Sequence, residues 1–160
     1  MSDSRCAMLP IVAADPTPPP HAPVRSGARP GLPDLHEADL EPLLAAFYAR
    51  VAGDAALAPY FAALDMAAHI PRIADFWATV LFHSPRYQGN AFRPHLAMPG
   101  LTAEHFARWL AALEATVDAR HAGGGAERMK AMAHRIAYSM QLRLGLPPST
   151  PDVPTVATHR

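Results

Sequence analysis

The sequence predicts an all-α fold, and three observations support this prediction. Between residues 34 and 145, apolar residues recur at the three- and four-residue spacing of amphipathic helices. Glycine or proline follows each of these periodic segments, as expected where a helix ends. No segment shows the alternation of apolar and polar residues that is typical of a half-buried strand. With 160 residues, the chain has the size of one domain with its own core.

The first predicted helix begins near Asp34, because Asp34 and Glu37 have the spacing of a capping box. It ends before Gly53, which suits the end of a helix. Its apolar stripe consists of Leu40, Leu43, Leu44, Phe47 and Val51. Residues 55–64 are expected to form only short turns, since Pro59 interrupts them.

The second predicted helix begins close to His69, which places Pro71 in the first turn, where proline is tolerated. Ser84-Pro85 ends this helix. Its apolar stripe consists of Ile70, Ile73, Trp77, Val80 and Leu81. The next segment, FRPHLAMPG at residues 92–100, is expected to form at most a short helix that ends before its Pro-Gly pair.

Two further helices are predicted in the second half of the chain. Thr102 is a suitable N-cap for a long helix that the glycine triplet at 123–125 ends. The stripe of that helix consists of Phe106, Trp109, Leu110, Leu113 and Val117. The last helix contains Met129, Met132, Ala133, Ile136 and Met140, and is closed by Gly145 and Pro147.

Proline-rich segments lie on both sides of this helical body. Eight of the 18 prolines fall within the first 34 residues, a density that favours extended chain over a packed core. The sequence therefore predicts a disordered leader at residues 1–33, a folded domain at 34–146 and a disordered tail at 147–160.

The composition excludes several classes of partner. The formal net charge is zero, so no basic surface for nucleic acid or for an anionic membrane is expected. No apolar run approaches the roughly 20 residues that span a bilayer. Cys6 is the only cysteine, which excludes an internal disulfide and a covalent haem attachment motif. The apolar run at residues 7–14 is too short for a signal peptide, so a cytoplasmic location is expected.

His95 raises the question of function, because it lies between prolines in an otherwise apolar segment. The nine histidines lack the spacing of a zinc site, and neither a hydrolase nucleophile motif nor a phosphate-binding loop is present. A large apolar cofactor whose iron takes one axial imidazole remains as the functional interpretation. The alternative is a hydrogen-bonded core histidine in a helical bundle without haem.

Four segments of the body resemble the truncated haemoglobins, most closely those of group III. They are FYARVAGDAALAPYF at 47–61, HIPRIADFW at 69–77, YQGNAFRPH at 87–95 and HFARWLAALEATV at 105–117. Their order and separation match the family, and the paired glycines that flank helices in groups I and II are absent. The resemblance implies a two-over-two helical sandwich around non-covalent haem b (iron protoporphyrin IX).

The resemblance also assigns roles to individual residues. His95 matches the proximal ligand, which binds the haem iron through Nε2. On the opposite, distal face, Tyr48 and Trp109 match donors of hydrogen bonds to an iron-bound ligand. His69 matches the histidine over the iron, and Ile73 matches an apolar distal residue.

Further residues are expected around the cofactor, although each suits ordinary core or surface use equally well. Four apolar side chains are candidates for packing against haem: Phe61, Phe92, Met98 and Phe106. Arg72 is a candidate partner of a haem propionate. Trp77 is interpreted as structural, and His83, His105, His121 and His134 receive no role.

These residues imply a haem protein that binds O₂, NO or CO. Hydrogen-bond donors at the distal face would retain bound O₂, which suits redox turnover such as NO detoxification or peroxide reduction better than oxygen delivery. An unidentified reductase and a monomeric state are expected. A haem-based sensor or interaction module is the alternative, which the lack of a following signalling domain disfavours.

Overall fold

The computed structural model describes residues 31–147, so the predicted leader and tail lie almost entirely outside the described residues. Six α-helices and no strand are found within this range, which confirms the all-α prediction. The helices are α1 (Leu40–Ala52), α2 (Ala58–Phe61), α3 (Met66–Phe82), α4 (Arg93–Leu96), α5 (Ala103–Arg120) and α6 (Gly124–Arg143). None of them is long and apolar enough to cross a bilayer.

The four long helices form two packed pairs. Helix α1 packs against α3 and also against α5, and α5 packs against α6. The predicted stripe of α1 is buried at this junction, since Leu43, Phe47 and Val51 are at most 1% exposed. Leu113 and Val117 of α5 and Met129 of α6 complete the same core. The short helices α2 and α4 lie outside these pairs, and α4 has no extensive interface with another described helix.

The predicted capping box of Asp34 and Glu37 is wrong. A 3₁₀ turn at Glu37–Asp39 precedes α1. At the start of this turn, the Asp39 carboxylate accepts a hydrogen bond from the backbone N–H of His36. The Asp34 carboxylate instead accepts hydrogen bonds from the backbone N–H groups of Gly125 (2.9 Å) and Ala126 (3.1 Å) in the first turn of α6. The hydrogen bond from Gly125 is the main reason that the pKa of Asp34 is lowered.

The glycine triplet does not separate the last two helices as predicted. Helix α5 ends at Arg120, and Gly124 and Gly125 form the first turn of α6. A Cβ atom on Gly125 would clash with the carbonyl oxygen of Leu35. Gly123 has φ +137°, a conformation that side chains rarely adopt. The glycines therefore let the segment around Asp34 approach the start of α6.

Helix α3 begins three residues earlier than predicted. Asp65 is its N-cap, and its carboxylate accepts the backbone N–H of Ala67 at 3.0 Å. Pro71 consequently lies inside the helix and not in its first turn. The early start places His69 within the helix, one turn before Ile73.

Candidate functional site

A cavity of about 310 Å³ lies between the two helix pairs, and every one of the six helices contributes to its lining. Most lining side chains are apolar or aromatic, as is typical of a pocket for a small organic molecule. All the predicted site residues except Phe92 line this cavity. They are Tyr48, Phe61, His69, Arg72, Ile73, His95, Met98, Phe106 and Trp109.

His95 is presented by the short helix α4. The side-chain oxygen of Asn90 accepts the backbone N–H groups of Phe92 (3.0 Å) and Arg93 (3.2 Å), which holds the start of this helix. The His95 Nδ1 lies 2.8 Å from the carbonyl oxygen of Ala91. Because a carbonyl oxygen only accepts, Nδ1 carries the proton and Nε2 is left with its lone pair. This tautomer is the one that binds a metal through Nε2.

Tyr48 and His69 meet at another part of the cavity. The His69 Nε2 lies 3.2 Å from the Tyr48 hydroxyl, and the two rings pack edge to face. Burial raises the pKa of Tyr48, so its hydroxyl stays protonated at neutral pH. The pKa of His69 is lowered, first by burial and then by the charges of Arg72 and His95. The pair is therefore a neutral hydrogen-bonded unit at neutral pH.

Trp109 lies on α5 and is half-buried. Its ring packs edge to face against Phe47, with ring centroids 5.6 Å apart. No acceptor for its indole N–H lies among residues 31–147. This donor is therefore free to bond a group that enters the cavity.

Phe92 does not line the cavity. It packs beside Phe106 and Met140, and the guanidinium of Arg143 lies 4.2 Å from its ring centroid. This cation–π contact joins the end of α6 to the residue that precedes α4. Phe92 thus helps to hold the segment that carries His95 in place.

Several cavity residues have no site role in the sequence analysis, among them Tyr60, Trp77 and His105. Trp77 is 2% exposed and belongs both to the core and to the cavity wall. The Tyr60 hydroxyl donates to the carbonyl oxygen of Pro99 at 3.0 Å, which connects α2 to the loop after α4. His105 lies four residues before Trp109 on α5, and this spacing is the sequence signal that could have found it.

The structure of this chain is similar to that of a known protein. No family model matches the sequence, and no curated protein matches it. A group III truncated haemoglobin from Campylobacter jejuni has a similar structure, with a TM-score of 0.63 and 26% sequence identity. The match covers 69% of this chain and 91% of that chain. It confirms the family resemblance and the globin fold that the sequence predicts.

Proposed function

This chain resembles group III truncated haemoglobins in sequence and in fold, and from that premise we propose that it binds haem b in the cavity and a diatomic ligand on the haem. The orientation of His95 carries the proposal. Its Nδ1 is held by the Ala91 carbonyl at 2.8 Å, which leaves the Nε2 lone pair free to bind the iron of the cofactor.

The residues present fit the cofactor. The aromatic and aliphatic walls suit a flat apolar ring, and Arg72 at the cavity is a cationic partner for a propionate. When bound, haem would supply an iron atom that can take up O₂, NO or CO. His95, Phe61, Met98 and Phe106 would hold the ring, and Ile73 would keep the distal side apolar.

Tyr48 and Trp109 favour retention of the ligand. Their O–H and N–H donors, in a sheltered cavity, would hold a diatomic ligand that carries partial negative charge and would slow its release. Retention suits redox turnover of the ligand better than its delivery, because a carrier must release what it binds. We therefore propose oxygen binding as the basic property, with NO detoxification or peroxide reduction as the class of reaction.

We also propose that this chain acts as a cytoplasmic monomer and receives electrons from a separate reductase. NO consumption in the presence of a reductase would separate an enzyme from a haem protein that only binds ligands, or from a sensor. Size-exclusion chromatography of the haem-loaded chain would test the monomer.

Absorption spectra of the full chain test the proposal. Purified protein supplied with haem should show a Soret band, and the ferric, ferrous and CO-bound spectra should be those of haem held by one histidine. A chain that takes up no haem would instead support a helical bundle in which these residues serve the core.

A further inference from the structure

His105 is held in a single neutral tautomer. It is the third residue of α5, and its Nδ1 accepts the backbone N–H of Thr102 at 3.1 Å and lies 2.8 Å from the Thr102 hydroxyl. Because a backbone N–H only donates, Nδ1 must be the unprotonated nitrogen of the neutral ring. The proton of His105 is therefore on Nε2.

This arrangement is the reverse of that at His95. The Nδ1 of His95 faces a carbonyl oxygen and keeps the proton, so its Nε2 offers a lone pair. The Nδ1 of His105 faces a donor, so its Nε2 offers an N–H. One cavity histidine is thus prepared to bind a metal, and the other is prepared to donate a hydrogen bond.

The Nε2–H group of His105 has a fixed position and no hydrogen-bond partner among residues 31–147. The ring packs edge to face against Tyr60, with centroids 5.2 Å apart, and the Tyr60 hydroxyl is fixed by Pro99. No acceptor for Nε2–H lies among residues 31–147. His105 Nε2 is also not fully buried, because the fully buried side-chain atom that lacks a partner among the described residues is Nδ1 of His121. His105 lines the cavity, so its donor is available to a bound molecule.

We propose that His105 is a further cofactor-binding residue, whose Nε2–H donates to a carboxylate of the bound cofactor. This inference rests on the proposed function, because haem brings two propionates to the cavity. A carboxylate only accepts, and its charge strengthens the hydrogen bond. A ring fixed by the α5 cap also loses little freedom when the carboxylate binds.

Esterified haem gives a direct test. The full chain and a His105→Leu variant are each loaded with haem or with haem dimethyl ester, and transfer to an acceptor apoprotein is timed. Leucine is chosen because its side chain has no donor for a carboxylate, while Thr102 remains the N-cap residue of α5. Esterification should speed release from the wild-type chain about tenfold more than from the variant, the size expected for one charge-assisted hydrogen bond.

A control variant and a second measurement complete the test. His134→Gln alters an exposed histidine on α6 that pairs with Glu114, and should respond to esterification as wild type does. NMR of the ¹⁵N-labelled haem-free chain should show the His105 proton on Nε2. A proton on Nδ1, or an equal effect of esterification in wild type and His105→Leu, would overturn the proposal. Failure of the wild-type chain to bind haem at all would instead overturn the proposed function, and His105's role with it.

Discussion

Tyr48 and Trp109 differ in whether their donor group already has a hydrogen-bond partner in the protein. The Tyr48 hydroxyl already shares a hydrogen bond with His69, whereas the Trp109 N–H has no acceptor among the described residues. A ligand can therefore accept from Trp109 without breaking a contact. The Tyr48 hydroxyl can donate to a ligand only if His69 donates to the hydroxyl, or if the hydrogen bond between Tyr48 and His69 is broken.

We predict that Tyr48→Phe and Trp109→Phe each speed O₂ release. One donor bond to a partly charged oxygen in a sheltered cavity contributes about 1.5–3 kcal/mol, which corresponds to a roughly 10- to 100-fold change in rate. CO is polarised far less by iron, so its release should change much less. Stopped-flow dissociation of both gases from the haem-loaded chains measures the contrast.

His69→Leu belongs in the same series, because it shows whether histidine is a third donor or only shields the ligand. Equal acceleration of O₂ and CO release would mean that the side chains act by steric blockade. Unchanged release of both gases would remove Tyr48 and Trp109 from the ligand site.

A second prediction concerns the protonation of His69. NMR titration of the haem-free chain should give His69 a pKa below 6.5, because burial, Arg72 and His95 all disfavour its charged form. Arg72→Gln should move this pKa part of the way back toward 6.5. A pKa for His69 above 6.5 in the wild-type chain would contradict the neutral Tyr48–His69 pair.

The same shift makes stability depend on pH. The unfolded chain protonates His69 near pH 6.5, before the folded chain does, so the unfolded state binds more protons between the two pKa values. Stability should therefore fall as the pH is lowered through this window. Urea unfolding of wild type and His69→Leu should differ in their pH dependence only there.

The start of α6 depends on how closely the Asp34 segment approaches it. We predict that Gly125→Ala destabilises the chain by about 1–3 kcal/mol, because the new Cβ has to displace the Leu35 carbonyl. Gly124→Ala is the matched control, since the nearest atom to its Cβ is the flexible end of Arg128 at 3.5 Å. It should be neutral or stabilising by up to about 1 kcal/mol.

Denaturant unfolding of the two alanine variants tests this prediction. Equal stability changes at Gly124 and Gly125 would show that the Leu35 carbonyl does not constrain the helix. Asp34→Ala should also cost about 0.5–2 kcal/mol, as expected for the loss of a helix cap.

Helix positions could be predicted wherever local spacing decides them. The stripe at Leu43, Phe47 and Val51 and the N-cap at Thr102 need only the helical period and one cap. The partner of Asp34 could not be predicted, because Gly125 lies 91 residues away along the chain. Local chemistry favoured a box with Glu37, and tertiary packing gave Asp34 another helix to cap.

The site was predictable to the extent that the family resemblance assigns its residues. His95, Tyr48 and Trp109 were named from matching segments, and the structure brings all three to one cavity. His105 and Tyr60 were missed because their role depends on side-chain contacts across the fold, such as that between Tyr60 and Pro99. Spacing alone places His105 on the face of Trp109 but does not show which nitrogen is free.

The cavity is lined by two well-packed helix pairs and by the segment that contains α4, which is held by few contacts. Helix α4, which carries His95, has no extensive interface with another described helix. Tyr60–Pro99 on one side and Arg143–Phe92 on the other hold the segment around it. A bound cofactor would supply the missing packing, so haem should raise the stability of the chain.

We predict that residues 31–147 alone fold and bind haem as the full chain does. The sequence predicts a folded domain at 34–146. Residues 31–33 are kept because the Ala122 N–H donates to the Pro33 carbonyl oxygen at 3.0 Å. The melting temperature should stay within about 4 °C of the full chain, a difference under about 1 kcal/mol. Loss of haem uptake on trimming would show that the proline-rich segments contribute to the site.

His95 is proposed to hold the cofactor, and the rate of haem transfer to an acceptor apoprotein measures how strongly it does so. His95→Ala should lose haem more than about a hundredfold faster than wild type, since even groups that only orient a metal ligand contribute about 10- to 100-fold. Added imidazole should restore the ferrous spectrum of the variant, whereas His134→Ala should behave as wild type. Equal rates of haem loss from wild type and His95→Ala would contradict this role of His95, because another residue would then have to bind the iron.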